Sequence, residues 1–107
     1  MTHLEAAVQQ MIDATNRGDS DALVAAFAET AVLVDFGRAF TGRAEIAGWN
    51  DKENIGTQNH INITDVQRSG NTTNVRIRVT GNGYNGPGTL AFSTDEDGLI
   101  TRLNIFG

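Results

Sequence analysis

The chain has 107 residues, of which 39% are hydrophobic, 20% charged and one a proline; this fits one globular domain over residues 1–107 and excludes a disordered polymer. A net charge of −5 argues against nucleic acid or an anionic membrane as partner, because both select basic surfaces. With no cysteine for disulfide or thiol chemistry, no export signal after Met1 and no apolar run of the roughly 20 residues that span a bilayer, a cytoplasmic location is expected.

Thr2 and Glu5 have the spacing of a helix-capping pair. Leu4, Val8, Met11, Ile12 and Thr15 then recur at helical period, and Gly18 supplies a left-handed stop. Asp19 or Ser20 caps a second helix, with Leu23, Val24 and Phe27 inward and an end near Glu29. A β-branched strand, Ala31–Asp35, follows. Gly42 and Glu45 open a third helix that buries Ile46 and Trp49 and fades before Gly56. Strands are expected from Asn59 to Arg68 and from Thr72 to Thr80. In the second of these, Val75, Ile77 and Val79 share one face and Arg76 and Arg78 the other. Gly81–Gly88 is read as a mobile rim connection with Tyr84 at its exposed tip, and strands Thr89–Thr94 and Leu99–Phe106 close the chain. Helices first and antiparallel strands afterwards give an α+β order: three N-terminal helices packed on a curved, mostly antiparallel sheet.

Asp35 stands apart from the other acidic residues, since it closes an apolar strand and Phe36 follows it directly. A carboxylate there is costly to ionise unless a cation reaches it, and such a group can serve as a proton acceptor. The competing reading is a strand-end residue bonded to backbone or paired with Arg38 or Arg43. The aromatic residues are expected to dominate while the arginine side chains reach solvent, so that ionisation opposes folding and Asp35→Asn stabilises the chain at neutral pH. If an arginine dominates, the substitution destabilises it.

Two other signals carry less. Gly81, Gly83 and Gly86 match the dinucleotide fingerprint in letters, but Pro87-Gly88 and a strand follow where a helix is required. His3 and His60 are the only histidines and lie in different elements, so no metal site is expected. No cofactor is implied.

In order and spacing, Val8–Ile12 through Asn16–Asp19, Leu23–Phe27 with Ala31–Asp35, Gly42–Ile46 and Gly98–Phe106 resemble the nuclear transport factor 2-like superfamily. That group contains the cone-shaped ketosteroid isomerase-like and SnoaL-like polyketide cyclase-like proteins. The resemblance implies that Asp35 occupies the position of the isomerases' base. It also implies that Met11 stands at the position of their oxyanion-binding Tyr, and Gly88 or Thr89 at that of their protonated Asp. Steroid isomerisation is therefore not expected, because losing a single oxyanion donor typically costs roughly a hundredfold to a thousandfold. The same resemblance puts Asn104 on the cavity side of the last strand, whereas alternation alone allows Leu103 and Ile105 as the inner face.

Two functional readings follow. One is an isomerase or cyclase that uses Asp35 as general base to take a proton next to the carbonyl of a small apolar compound. In it Trp49 and Asn104 are donors, and Met11, Phe40, Leu90 and Phe92 are walls. The other is a non-catalytic module that binds a small hydrophobic molecule or dimerises. Either way, helices cover only one sheet face, and a homodimer through the other is expected.

Overall fold

The computed structural model describes residues 4–107; the expected Thr2 cap and His3 lie outside them. Helix α1 (Ala6–Arg17) buries Val8, Met11, Ile12 and Thr15 on one face, as their spacing predicts. Gly18 ends it in the left-handed conformation at φ 73°. The Asp19 carboxylate accepts the Ala22 N–H at 3.1 Å and caps α2 (Ser20–Ala25). This helix stops four residues short of its expected end, since β1 runs from Phe27 to Asp35. The cause is tertiary: the Ile100 N–H donates to Ala26 O at 2.9 Å, and Phe27 pairs with Ile100 in a parallel ladder. Phe27 is fully buried there as a strand residue.

The chain then forms a short strand that its sequence did not announce, β2 (Arg38–Thr41), followed by α3 (Gly42–Glu53) and one 3-10 turn (Ile55–Thr57). The Glu45 carboxylate accepts the Thr41 N–H at 2.9 Å, completing the α3 start read from Gly42 and Glu45. Four strands follow: β3 (His60–Ser69), β4 (Thr72–Thr80), β5 (Gly86–Thr94) and β6 (Ile100–Phe106). The sheet order is β2-β1-β6-β5-β4-β3, antiparallel throughout except for the parallel β1–β6 pair. The architecture is α+β, three helices against a mostly antiparallel sheet. The helices are not strictly N-terminal: α3 follows the β1–β2 hairpin, in keeping with a third helix read after the strand Ala31–Asp35.

Leu23, Phe27, Leu33, Ile46, Val75, Phe92, Ile100 and Leu103 form the sealed centre of the core. Burying each such side chain contributes about 1.5–3 kcal/mol. Polar clamps fix α1 across the sheet at both ends. Near its C-terminus the Asn16 amide donates to Ile61 O (2.9 Å) and accepts the Ile61 N–H (2.7 Å), extending the hydrogen bonding of edge strand β3. Near its N-terminus Glu5 accepts the buried Thr73 hydroxyl at 3.0 Å and pairs with Arg68 at 3.2 Å. Among the described residues no helix is long and apolar enough to cross a membrane.

Candidate functional site

Phe36 and Gly37 form a two-residue turn with positive φ at both positions, 48° and 84°. Glycine adopts that conformation freely, whereas a phenylalanine there costs about 1–3 kcal/mol. The turn makes Asp35 and Arg38 direct cross-strand partners, and the Phe36 N–H donates to Ile105 O at 3.0 Å. The strained residue therefore sits at the hinge that sets the carboxylate beside the guanidinium. Helix α3 supplies the other two groups, Trp49 and Glu53, which are four residues apart and share one face.

These four side chains form one cluster. The Trp49 indole N–H and Arg38 Nη2 both donate to Asp35 Oδ2, each at 3.0 Å. Arg38 also donates to both Glu53 oxygens, at 2.6 and 3.0 Å, and lies 5.6 Å above the Phe40 ring centre. The hydrogen bonds from Arg38 hold the Glu53 carboxyl below the usual carboxylate range. A depressed folded value makes that stabilisation complete above the unfolded value near 4.5, and it is lost as pH falls through the folded one. The cation expected to stay in solvent thus reaches Asp35, which removes the premise for a gain in stability from Asp35→Asn.

Asp35 lines a cavity of about 340 Å³, with its side chain 15% exposed. Among the described residues nothing hydrogen-bonds Oδ1, and no buried side-chain polar atom lacks a partner. Oδ1 is therefore open, while Oδ2 is doubly held. The apolar wall comprises Met11, Ile61, Ile77, Val79, Leu90 and Ile105. Of the residues singled out from sequence, the structure brings Asp35, Met11, Trp49 and Leu90 to this cavity. Phe40, half-buried against the core, and Phe92, fully buried within it, do not line the cavity. Asn104 lies on the opposite sheet face, because Leu103 is buried and Ile105 faces the cavity. Neither Met11 nor Gly88, which does line the cavity, offers a side-chain donor in place of an oxyanion hole.

Sequence reasoning missed the polar floor. Asn54, Thr57 and Asn59 line the cavity. The Asn54 amide donates to Thr15 Oγ1 and Asn50 Oδ1, both at 3.0 Å, and its oxygen accepts Asn59 Nδ2 at 3.2 Å. Read as sequence, Asn50 on α3 and Asn54, which caps its C-terminal end, are four apart, a spacing that marks a second polar face toward Thr15. At the rim, Tyr84 is half exposed and lines the cavity, and its hydroxyl donates to Pro87 O. Its loop is tied down: the Asn82 N–H donates to Thr57 O at 2.8 Å, and the Asn85 side chain clamps Gly81 in both directions. Gly86 begins a strand, so the three-glycine pattern opens no helix. Among the described residues no group of three or more His, Cys, Asp or Glu could hold a metal ion.

The SnoaL-like domain family matches residues 8–103. The chain belongs to that family. Among solved structures this SnoaL-like chain is similar to a candidate polyketide cyclase from Sinorhizobium meliloti, with 29% identity, 95% of this chain and 94% of that one covered, and a TM-score of 0.86. A candidate ketosteroid isomerase from Kribbella flavida shares the fold at 19% identity, with coverage of 95% and 75% and a TM-score of 0.80. So does SalBIII, an epoxide hydrolase/cyclase-like enzyme in pyran ring formation in the polyether salinomycin, at 20% identity, with coverage of 94% and 86% and a TM-score of 0.80. No curated protein is similar enough in sequence to match.

Proposed function

We propose that this SnoaL-like chain is a small-molecule enzyme in which Asp35 is the general base, taking a proton from a small, mostly apolar substrate in an isomerisation or cyclisation. One observation carries the reading: a carboxylate in an apolar cavity has one oxygen held by two donors and the other open. Holding Oδ2 orients the lone pairs of Oδ1 before substrate arrives, and such preorganisation makes a weak base effective. The cavity lies near the lower end of the roughly 300–1,000 Å³ usual for small-molecule sites, which suits one or two rings. The likeness to a candidate cyclase and to a cyclase-like enzyme supports the class of reaction. A second reading, a non-catalytic binder of small hydrophobic molecules, is favoured by the Arg38 ion pair, which offsets the charge a base would use.

Nitrobenzisoxazole separates the two. It is a two-ring apolar molecule whose ring C–H is removed by a base as its N–O bond breaks, releasing a coloured cyanonitrophenolate, and it needs no oxyanion hole. The wild-type chain should consume it with saturable kinetics, and Asp35→Asn should lower kcat/KM by roughly a hundredfold. A wild-type rate no higher than that of free acetate would leave only the binder.

A cytoplasmic homodimer completes the proposal. Arg76, Arg78 and Asn104, with Val32, Val34 and Ala91, occupy the sheet face that no helix among the described residues covers. A second copy there is the two-fold arrangement commonest in soluble oligomers. Light scattering at tens of micromolar should report twice the chain mass; the monomer mass would refute it.

A further inference from the structure

The hydrogen-bond inventory of the cavity is lopsided. Trp49 spends its N–H on Asp35. Asn54 and Asn59 spend both amide hydrogens within the floor, the Thr57 hydroxyl is turned toward Asn59 and backbone carbonyls, and the Tyr84 hydroxyl donates to Pro87 O. Arg38 directs its hydrogen bonds to two carboxylates and is more than half exposed. Against these engaged donors stands Asp35 Oδ1, a carboxylate oxygen that accepts no hydrogen bond among the described residues. The charges lean the same way, two carboxylates against one guanidinium.

We infer that the cavity selects small apolar molecules that carry a hydrogen-bond-donating head, a hydroxyl or an ammonium, over isosteric ketones. The inference rests on Asp35 being the working group of this cavity and deepens that reading. A donor head meets Oδ1 at no cost to the existing network. A ketone oxygen meets a carboxylate oxygen instead, and each is left desolvated without a partner. Sites built around one polar group discriminate strongly against the analogue that cannot complete it. The proton presented to Asp35 is then that of an O–H or N–H, not the C–H beside a carbonyl that the sequence suggested. An enolate oxygen formed in this cavity would meet no free side-chain donor among the described residues except the remaining N–H groups of Arg38.

Isothermal titration of the wild-type chain with cyclooctanol, cyclooctylamine and cyclooctanone tests this with one apolar body and three heads. The alcohol and the protonated amine are expected to bind at least about tenfold more tightly than the ketone. In Asp35→Asn, with the fold checked by circular dichroism, the amine should lose at least about tenfold and the gap between alcohol and ketone should close. Ketone binding equal to or tighter than alcohol binding overturns the inference, as does saturable binding by none of the three, or a preference that survives Asp35→Asn. The wild-type ranking is decisive even if the variant does not fold. A donor preference without nitrobenzisoxazole turnover removes the base and keeps the selectivity; turnover without the preference does the reverse.

Discussion

Gly56→Ala is expected to lower stability by about 3–5 kcal/mol, a fall in melting temperature of about 15 °C or more for a domain of this size. A methyl group at Gly56 would run into Asp51 O and its carbonyl carbon. Both are backbone atoms of α3, so no side-chain rotation relieves the clash. Either the last turn of α3 or the 3-10 turn must move. Both converge on Asn54, whose backbone oxygen accepts the Thr57 and Asn59 N–H groups at 3.1 Å. Displacement there also shifts Glu53 and Thr57, so the surviving folded fraction should lose cavity function as well. A melting temperature within about 3 °C of wild type would show that the segment yields more easily than this packing implies.

Phe92→Ala should cost about 3–5 kcal/mol, the range for deleting a fully buried aromatic side chain whose surroundings relax only partly. Phe92 is 0% exposed and pairs with Leu103, also fully buried, in the middle of the sheet. The same truncation at half-buried Phe40 should cost clearly less. Chemical denaturation of both variants gives the comparison, and equal losses would contradict it.

The helix faces and most strands were legible because one periodicity served each of them. The α1 stripe from Val8 to Thr15 and the β4 alternation of Val75, Ile77 and Val79 each bury the residues their spacing selects. Phe27 was not legible, since an apolar residue four positions after Leu23 suits a helix as well as a strand. Only pairing with Ile100, far along the chain, decides it. The face of Asn104 depended on register: Leu90 opposite Ile105 and Phe92 opposite Leu103 put both apolar partners inward, and a one-residue slip would invert every side chain.

The site was half visible. Asp35 stood out because its neighbours are apolar, and Trp49 because a buried indole N–H wants a partner. That these two needs satisfy each other, and leave Trp49 unable to serve a substrate, follows from α3 packing beside β1. The Arg38 contact follows from the Phe36-Gly37 turn, which could have been recognised from its glycine but is disguised by the phenylalanine. Asn54, Thr57 and Asn59 read as loop polarity because their partners come from α1 and α3.

Asp35, as proposed, works from inside an apolar cavity on a bound small molecule. Trp49 is the chain's sole tryptophan, and its indole N–H points at Asp35, so one resonance reports on the site. A nitrogen–proton correlation spectrum recorded while cyclooctanol is added should show that indole signal moving along a saturable curve. Signals from the outer sheet face, Arg76 and Arg78, should stay fixed. An indole signal that holds its position to the end of the titration, or a response confined to the outer face, would contradict the account.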